Sequence, residues 1–232
     1  MKFIKIFILL ILVFTVSFIN KYETKTIKTK NINIKTTENA VDRLKNIYNN
    51  NDIVGILKIK DTNYSWIITQ TTDNDFYLKK DLLKKSYKGG NPFLDYRVSI
   101  NNSNKLLIYG HNSRYVDMPF KILQNYYEKE YFDNNKYLIL ETDNRVNTYE
   151  IFSVYTETAD FSYMTLVRNE KEWLEHLNYL KNKSIYKSDI DLNISNKILI
   201  LQTCSTKEEY KKYKKKFLII VAVRKEENEK IF

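Results

Sequence analysis

A single cysteine, Cys204, closes the apolar run "KILILQT", and the lysine-rich stretch "STKEEYKKYKKK" separates it from a second apolar run, "FLIIVAV". A nucleophilic thiol needs a thiolate, a proton carrier for the leaving group, and a cation or N–H donor for the developing oxyanion. Two histidines are available as carriers. His176 lies in "EWLEHLNYL", three residues after Trp173, and reads as an ordinary helix-surface or boundary side chain. His111 follows Gly110 at the end of the apolar run "LLIYG", in a polar turn, and loops on a rigid scaffold are where functional groups tend to sit. On count alone the thiol reads as a small buried hydrophobe and His111 as structural. One cysteine cannot form an internal disulfide.

The elements that would position these residues are mostly short and β-rich. "TENAVDRLKNIYNN" spaces Val41, Leu44, Ile47 and Tyr48 at three and four residues behind Thr37, a possible N-cap, which predicts a short amphipathic helix. "DIVGILKIK" and "YSWIITQ" form a hairpin-like pair. A polar piece with helical character, "DFYLKKDLLKKSYK", leads to a Gly-Gly-Asn-Pro turn. Leu106 to Tyr109 read as a strand, "MPFKILQNYY" as helical, and "KYLILET" and "NTYEIFSVYTET" as strands joined at Asp143-Asn144. "NEKEWLEHLNYLKNK" is a helix with Trp173, Leu177 and Leu180 on its buried face. "KILILQT" and "KKFLIIVAV" complete the set. Seven or more strands with short helices between them predict a mostly β fold, a small closed barrel or a sandwich.

The 232 residues, 43% hydrophobic and 14% aromatic, can bury a sizeable core. With four Gly and two Pro, turns fall to Asn and Asp side chains. No metal-ligand spacing and no Gly-rich phosphate loop is present, so no metal or cofactor is expected. At the N-terminus, Lys2 and Lys5 precede a run from Ile6 to Ile19 that no charge interrupts. Counted from Phe3 it would span about 26 Å as a helix, at the short end of what crosses a bilayer. No A-x-A-like cleavage site follows, which favours an uncleaved transmembrane anchor over residues 1–20, with the remainder outside the cell. Residues 21–36 read as a basic linker and 37–232 as the functional domain. The net charge of +10 attracts polyanions, for an exported protein anionic lipid or wall polymer before nucleic acid.

In combination, a strand ending "YGHN", a later strand ending "LQTC" and a final strand "FLIIVAV" resemble the sortases, the cysteine transpeptidases of Gram-positive bacterial surfaces. The histidine of that family follows a Gly, and its nucleophile ends a T-L-x-T-C pattern; Ile200 replaces the first Thr in Ile200-Leu201-Gln202-Thr203-Cys204. The likeness extends from about residue 40 to 224 and is greatest to class B, whose helical insertion before the cysteine strand is similar to "NEKEWLEHLNYLKNKSIYKS". It implies a closed sortase-type barrel of seven to eight strands decorated with short helices. It also implies a cysteine transpeptidase that cleaves a C-terminal sorting motif of secreted proteins through a thioacyl intermediate. The acceptor would be the amine of a cell-wall peptide or of its lipid-linked precursor. Class B members commonly act on N-P-x-T-[NG]-like motifs.

The resemblance makes Cys204 the nucleophile and His111 the proton carrier, with Thr203 and Asn112 as candidate substrate contacts. One departure stands out. Sortases carry an arginine at the start of the last strand, about five residues before a small residue. Counting back from Ala222 reaches Phe217, preceded by Lys214, Lys215 and Lys216. The cation is therefore Arg224, if the register slips, or Lys216. Lysine offers a point charge where arginine offers a planar fork. Two rival readings use the same features: a membrane-tethered basic binding protein on a sortase-like scaffold, or a cysteine hydrolase without transfer.

Overall fold

The computed structural model describes residues 39–167 and 169–225. The expected membrane segment, the linker and Thr37 lie outside the described residues. Eight strands close into one barrel: β1 (Ile53–Ile59), β2 (Ser65–Thr69), β3 (Phe93–Leu94), β4 (Lys105–Tyr109), β5 (Tyr137–Glu141), β6 (Val146–Glu157), β7 (Ile198–Cys204) and β8 (Phe217–Arg224). Their spatial order is β1-β2-β3-β4-β7-β8-β6-β5, and β5 pairs back onto β1. Each described strand thus has a neighbour on both sides.

The expected β1–β2 hairpin is antiparallel, and β1 alternates strictly between buried and half-buried residues, as a strand with one face toward a core must. β4, β7 and β8 instead are apolar on both faces. Leu199, Leu201, Leu218, Ile220 and Ala222 point into the barrel core. Ile198, Ile200, Ile219, Val221 and Val223 join an outer cluster with Trp173, Leu177 and Leu180. That second layer explains why these strands read as continuous apolar runs.

The outer cluster is covered by α3 (Glu170–Asn182), which buries Trp173, Leu177 and Leu180 as its spacing predicts. Each fully buried leucine contributes about 1.5–3 kcal/mol. Asn169 caps this helix by accepting from the Glu172 amide. The first helix, α1 (Ala40–Tyr48), is capped by Asn39 rather than Thr37: the Asn39 Oδ1 accepts from the Asp42 amide at 2.8 Å. "KILQNYY" is a 3-10 helix, Lys121–Tyr127, followed by the short α2 (Lys129–Asn134). Phe120, Leu123 and Tyr126 are all fully buried, and a repeat of three suits the 3-10 helix, whose side chains at i and i+3 eclipse. In the polar piece before Gly89 only Phe76–Leu78 is helical, as a 3-10 turn, because the Asp81 carboxylate accepts from the Leu83 and Lys85 amides and holds a turn.

Candidate active site

The register of two parallel strands builds the site. β4 and β7 run side by side with Tyr109 opposite Gln202, so both chains leave the barrel at the same mouth. The Gly110 amide extends the ladder to the Gln202 carbonyl at 3.1 Å, and the Thr203 hydroxyl donates to the Gly110 carbonyl at 2.7 Å. Cys204 is the last residue of β7, and His111 follows β4 after Gly110. β8, antiparallel to β7, starts at that mouth with Phe217 opposite Cys204. Gly110 is required by close approach: a Cβ there would lie 2.4 Å from the Phe120 ring.

His111 and Cys204 line one cavity of about 310 Å³, together with Leu78, Tyr109, Met164 and Phe217. His111 Nε2 lies 2.9 Å from the Leu78 carbonyl. A carbonyl only accepts, so Nε2 carries the proton in that bond and Nδ1 is the nitrogen left to exchange one. Cys204 is accessible to solvent, yet burial pushes its thiol pKa up, opposed by the Lys216 charge. The resting thiol is therefore protonated at neutral pH.

Side chains from the loop and the 3-10 helix after His111 clamp the cysteine backbone. The Asn112 Nδ2 donates to the Cys204 carbonyl at 2.9 Å and the Gln124 Nε2 at 3.2 Å. The Gln124 Oε1 accepts from both the amide and the hydroxyl of Thr206, and Arg114 reaches the Thr206 carbonyl and Glu208. Sequence reading missed Gln124 and Arg114. A polar residue in the amphipathic "KILQNYY" carries no mark of its partner 80 residues away. The Asn112 Oδ1 is buried and has no hydrogen-bond partner among the described residues.

The two candidate cations part company. Lys216 directly precedes Phe217, its carbonyl accepts from the Ser205 amide at 3.0 Å, and its ammonium donates to the Tyr213 carbonyl at 3.0 Å. Arg224 lies at the opposite end of the ladder, where Tyr149 is its partner on β6 and its amide donates to the Lys197 carbonyl. It lies seven positions along the strand from Phe217, about 23 Å at the usual rise. Arg224 is thus not at the thiol; the register of β8 does not slip, and Phe217 itself occupies the counted position. Thr203 is buried, with its hydroxyl proton engaged by Gly110.

His176 departs from its surface reading. It is buried on α3, with Nε2 3.1 Å from the Lys105 ammonium of β4. A larger cavity of about 880 Å³ lies elsewhere, among Tyr48, Tyr64, Trp66 and Tyr87, and includes neither His111 nor Cys204. Among the described residues no three His, Cys, Asp or Glu side chains gather in a way that could hold a metal ion.

Comparison with known proteins follows the same lines. The sortase domain model matches residues 57–225. The chain is 32% identical over 195 residues to sortase B of Listeria monocytogenes, covering 82% of this chain and 76% of that protein. The X-ray structure of Clostridium perfringens sortase B superposes with a TM-score of 0.71 at 32% identity, covering 79% of this chain and 98% of that one. A Staphylococcus aureus sortase B–substrate complex superposes with a TM-score of 0.70 at 25% identity, covering 80% of this chain and 84% of that one.

Proposed function

Because the chain belongs to the sortase family, as a cysteine transpeptidase of the class B type, we propose that Cys204 is its nucleophile, His111 its proton carrier and Lys216 the cation beside the thiol. The observation that carries this reading is the parallel β4–β7 register, which delivers Gly110-His111 and Thr203-Cys204 to one mouth and one cavity.

Proton and bond changes balance within this pair. The Cys204 sulfur attacks the threonine carbonyl of a sorting motif while its proton passes to His111 Nδ1. The tetrahedral oxyanion collapses, the peptide C–N bond breaks, and His111 returns the proton to the leaving amine. An incoming amine then attacks the thioester, gives its proton to Nδ1, and displaces the thiolate, which takes that proton back. The Nε2 bond to Leu78 keeps the ring facing the cavity throughout. A positive charge near the sulfur stabilises both thiolate and oxyanion, and Lys216 is the charge that acts on the Cys204 thiol. Asn112 holds the Cys204 backbone through its carbonyl, and Thr203 holds the two strand ends together.

Substrates are proteins bearing a sorting motif and the acceptor is an amine. The finer reading is that the acceptor belongs to a cell-wall peptide or its lipid-linked precursor. It also holds that residues 1–20 tether the enzyme to the membrane as a single-pass anchor, with residues 37–232 outside the cell. The uncharged run Ile6 to Ile19 behind two lysines supports that reading.

The test is incubation of the full chain with a small library of candidate sorting peptides and an amine, with products weighed by mass spectrometry. Ligated peptide is the expected product. Hydrolysed peptide alone would make the enzyme a hydrolase, and no turnover would contradict the proposal.

A further inference from the structure

One wall of the thiol cavity comes from the segment between β6 and α3, through Met164. That segment is an awkward piece of backbone. Phe161 has φ 52, a left-handed conformation that a residue with a Cβ adopts at a cost, and Ser162–Met164 is a single 3-10 turn. The turn satisfies the Phe161 and Ser162 carbonyls, which accept from the Met164 and Thr165 amides, but not the carbonyls that follow.

Three successive carbonyls of this segment are held by cations from the barrel. The buried Lys105 ammonium of β4 donates to the carbonyls of Tyr163 and Thr165, and His176 Nε2 of α3 completes its surroundings at 3.1 Å. The Met164 carbonyl between them accepts from Arg97 at 3.4 Å. Arg97 is itself fixed by a two-armed ion pair to the buried Asp95, at 2.9 and 2.7 Å, and the Tyr109 hydroxyl donates to the same carboxylate. The wall is also tied to the nucleophile strand, since the Tyr163 hydroxyl donates to the Gln202 Oε1 at 2.6 Å. Gln202, like Met164, lines the cavity.

We propose that Lys105, with Arg97 in support, is a positioning residue of the peptide site: its ammonium fixes the 163–165 backbone and thereby sets where Met164 stands against the Cys204 cavity. This inference rests on the reading of that cavity as the peptide site. Lys105 touches no substrate and acts through the wall.

The chemistry fits a proton-dependent tie. Lys105 is 4% exposed, and burial, with Arg97 adding to it and Asp95 opposing, pulls its pKa down to about 7. The groups facing it are His176 from α3, Arg97 and Asp95 from the segment after β3, Tyr109 from its own strand and Tyr163 from the wall. Burial, together with the Lys105 charge, pulls His176 down to about 4, so it is a neutral acceptor. Burial raises both tyrosines well above neutral pH, so neither changes charge near Lys105. Charge-assisted hydrogen bonds are roughly twice as strong as neutral ones. Protonated Lys105 therefore grips the wall below its pKa, and the grip weakens as pH rises through that value.

The experiment compares the full chain with Lys105→Met, which keeps the apolar stem, and Lys105→Arg, which keeps the charge. Amide hydrogen exchange over 161–167, read without substrate, should speed up about tenfold in Lys105→Met while β4 and β7 stay protected. KM for a sorting peptide should rise by a similar factor, with kcat and the rate of Cys204 alkylation by iodoacetamide within about twofold of the parent. The parent's KM should climb between pH 6 and pH 9, the Lys105→Met profile should be flat, and Lys105→Arg should recover most of the lost affinity. Unchanged exchange over 161–167, or a fall in kcat at constant KM, would overturn the inference. Should Lys105→Met not fold, Arg97→Lys takes its place. It keeps the charge beside Asp95 but loses the arm to Met164, and is expected to give about threefold faster exchange; no change would again overturn the tie. A parent chain that never forms an acyl-enzyme contradicts the proposed function, while the exchange measurement still decides the role of Lys105.

Discussion

The two ends of the β7–β8 ladder share hydrogen-bonding geometry and differ in nearly everything else. At one end Cys204 faces Phe217, flanked by Lys216 and clamped by Asn112 and Gln124. At the other, Val223 and Arg224 run beside Ile198 and Lys197 and lead to the Lys225–Glu150 ion pair. Both ends offer a cation, and the first also has a thiol, a histidine and the cavity they line. The difference teaches that strand pairing decides which cation is near the thiol: Lys216 at the start of β8 acts on it, and Arg224 at the far end lies away from it.

The largest effects should follow from breaking the first end. Cys204→Ala and His111→Ala are each expected to lower peptide cleavage at least ~1000-fold while the thermal transition stays near that of the parent, because both side chains sit at the mouth and not in either core. Full cleavage by Cys204→Ala would remove the basis of the account.

Next comes the comparison itself. Lys216→Ala should cost about 100-fold in kcat/KM, the scale of losing one oxyanion-stabilising group, whereas Arg224→Ala should stay within about twofold. The reverse ranking would mean that another cation serves the thiol.

A third measurement sharpens the same point without substrate. Burial raises the Cys204 pKa and Lys216 opposes the rise, so the rate of iodoacetamide alkylation should increase with pH to a midpoint above the ~8.5 of an ordinary thiol. Removing a positive charge destabilises the thiolate, so Lys216→Ala should move that midpoint further up; a downward move would contradict the sign.

The smallest catalytic effect belongs to the layer beneath. Leu177→Ala on α3 should destabilise the fold by about 2–5 kcal/mol through the cavity it leaves, read by denaturant unfolding, while the kcat of the remaining folded enzyme changes little.

What the sequence made legible follows this division. That Cys204 and His111 each stand at the end of an apolar run was legible from local residues, but on those residues alone both read as structural, and it was the combined resemblance of "YGHN" and "LQTC" to the sortases that singled them out. Trp173, Leu177 and Leu180 were legible from local residues alone, since helical spacing is a local signal. The choice between Arg224 and Lys216 was not legible, because it depends on the pairing of β8 with β7, a property of two strands joined by a loop that sequence reading could not register. Phe217 opposite Cys204 settles that pairing. His176 was read as a surface or boundary residue because its polar partner, Lys105, lies far away in sequence on β4. Gln124 went unseen since its role exists only once the Cys204–Thr206 backbone is folded beside it.

The central claim is that Cys204 carries the acyl group. Its most direct test is the intact mass of the full chain after brief exposure to a sorting peptide without an added amine, followed by fragment mapping. The account predicts a single acyl adduct on the Cys204 peptide that disappears when an amine is supplied. An adduct on any other residue, or peptide cleavage that persists in Cys204→Ala, would contradict it.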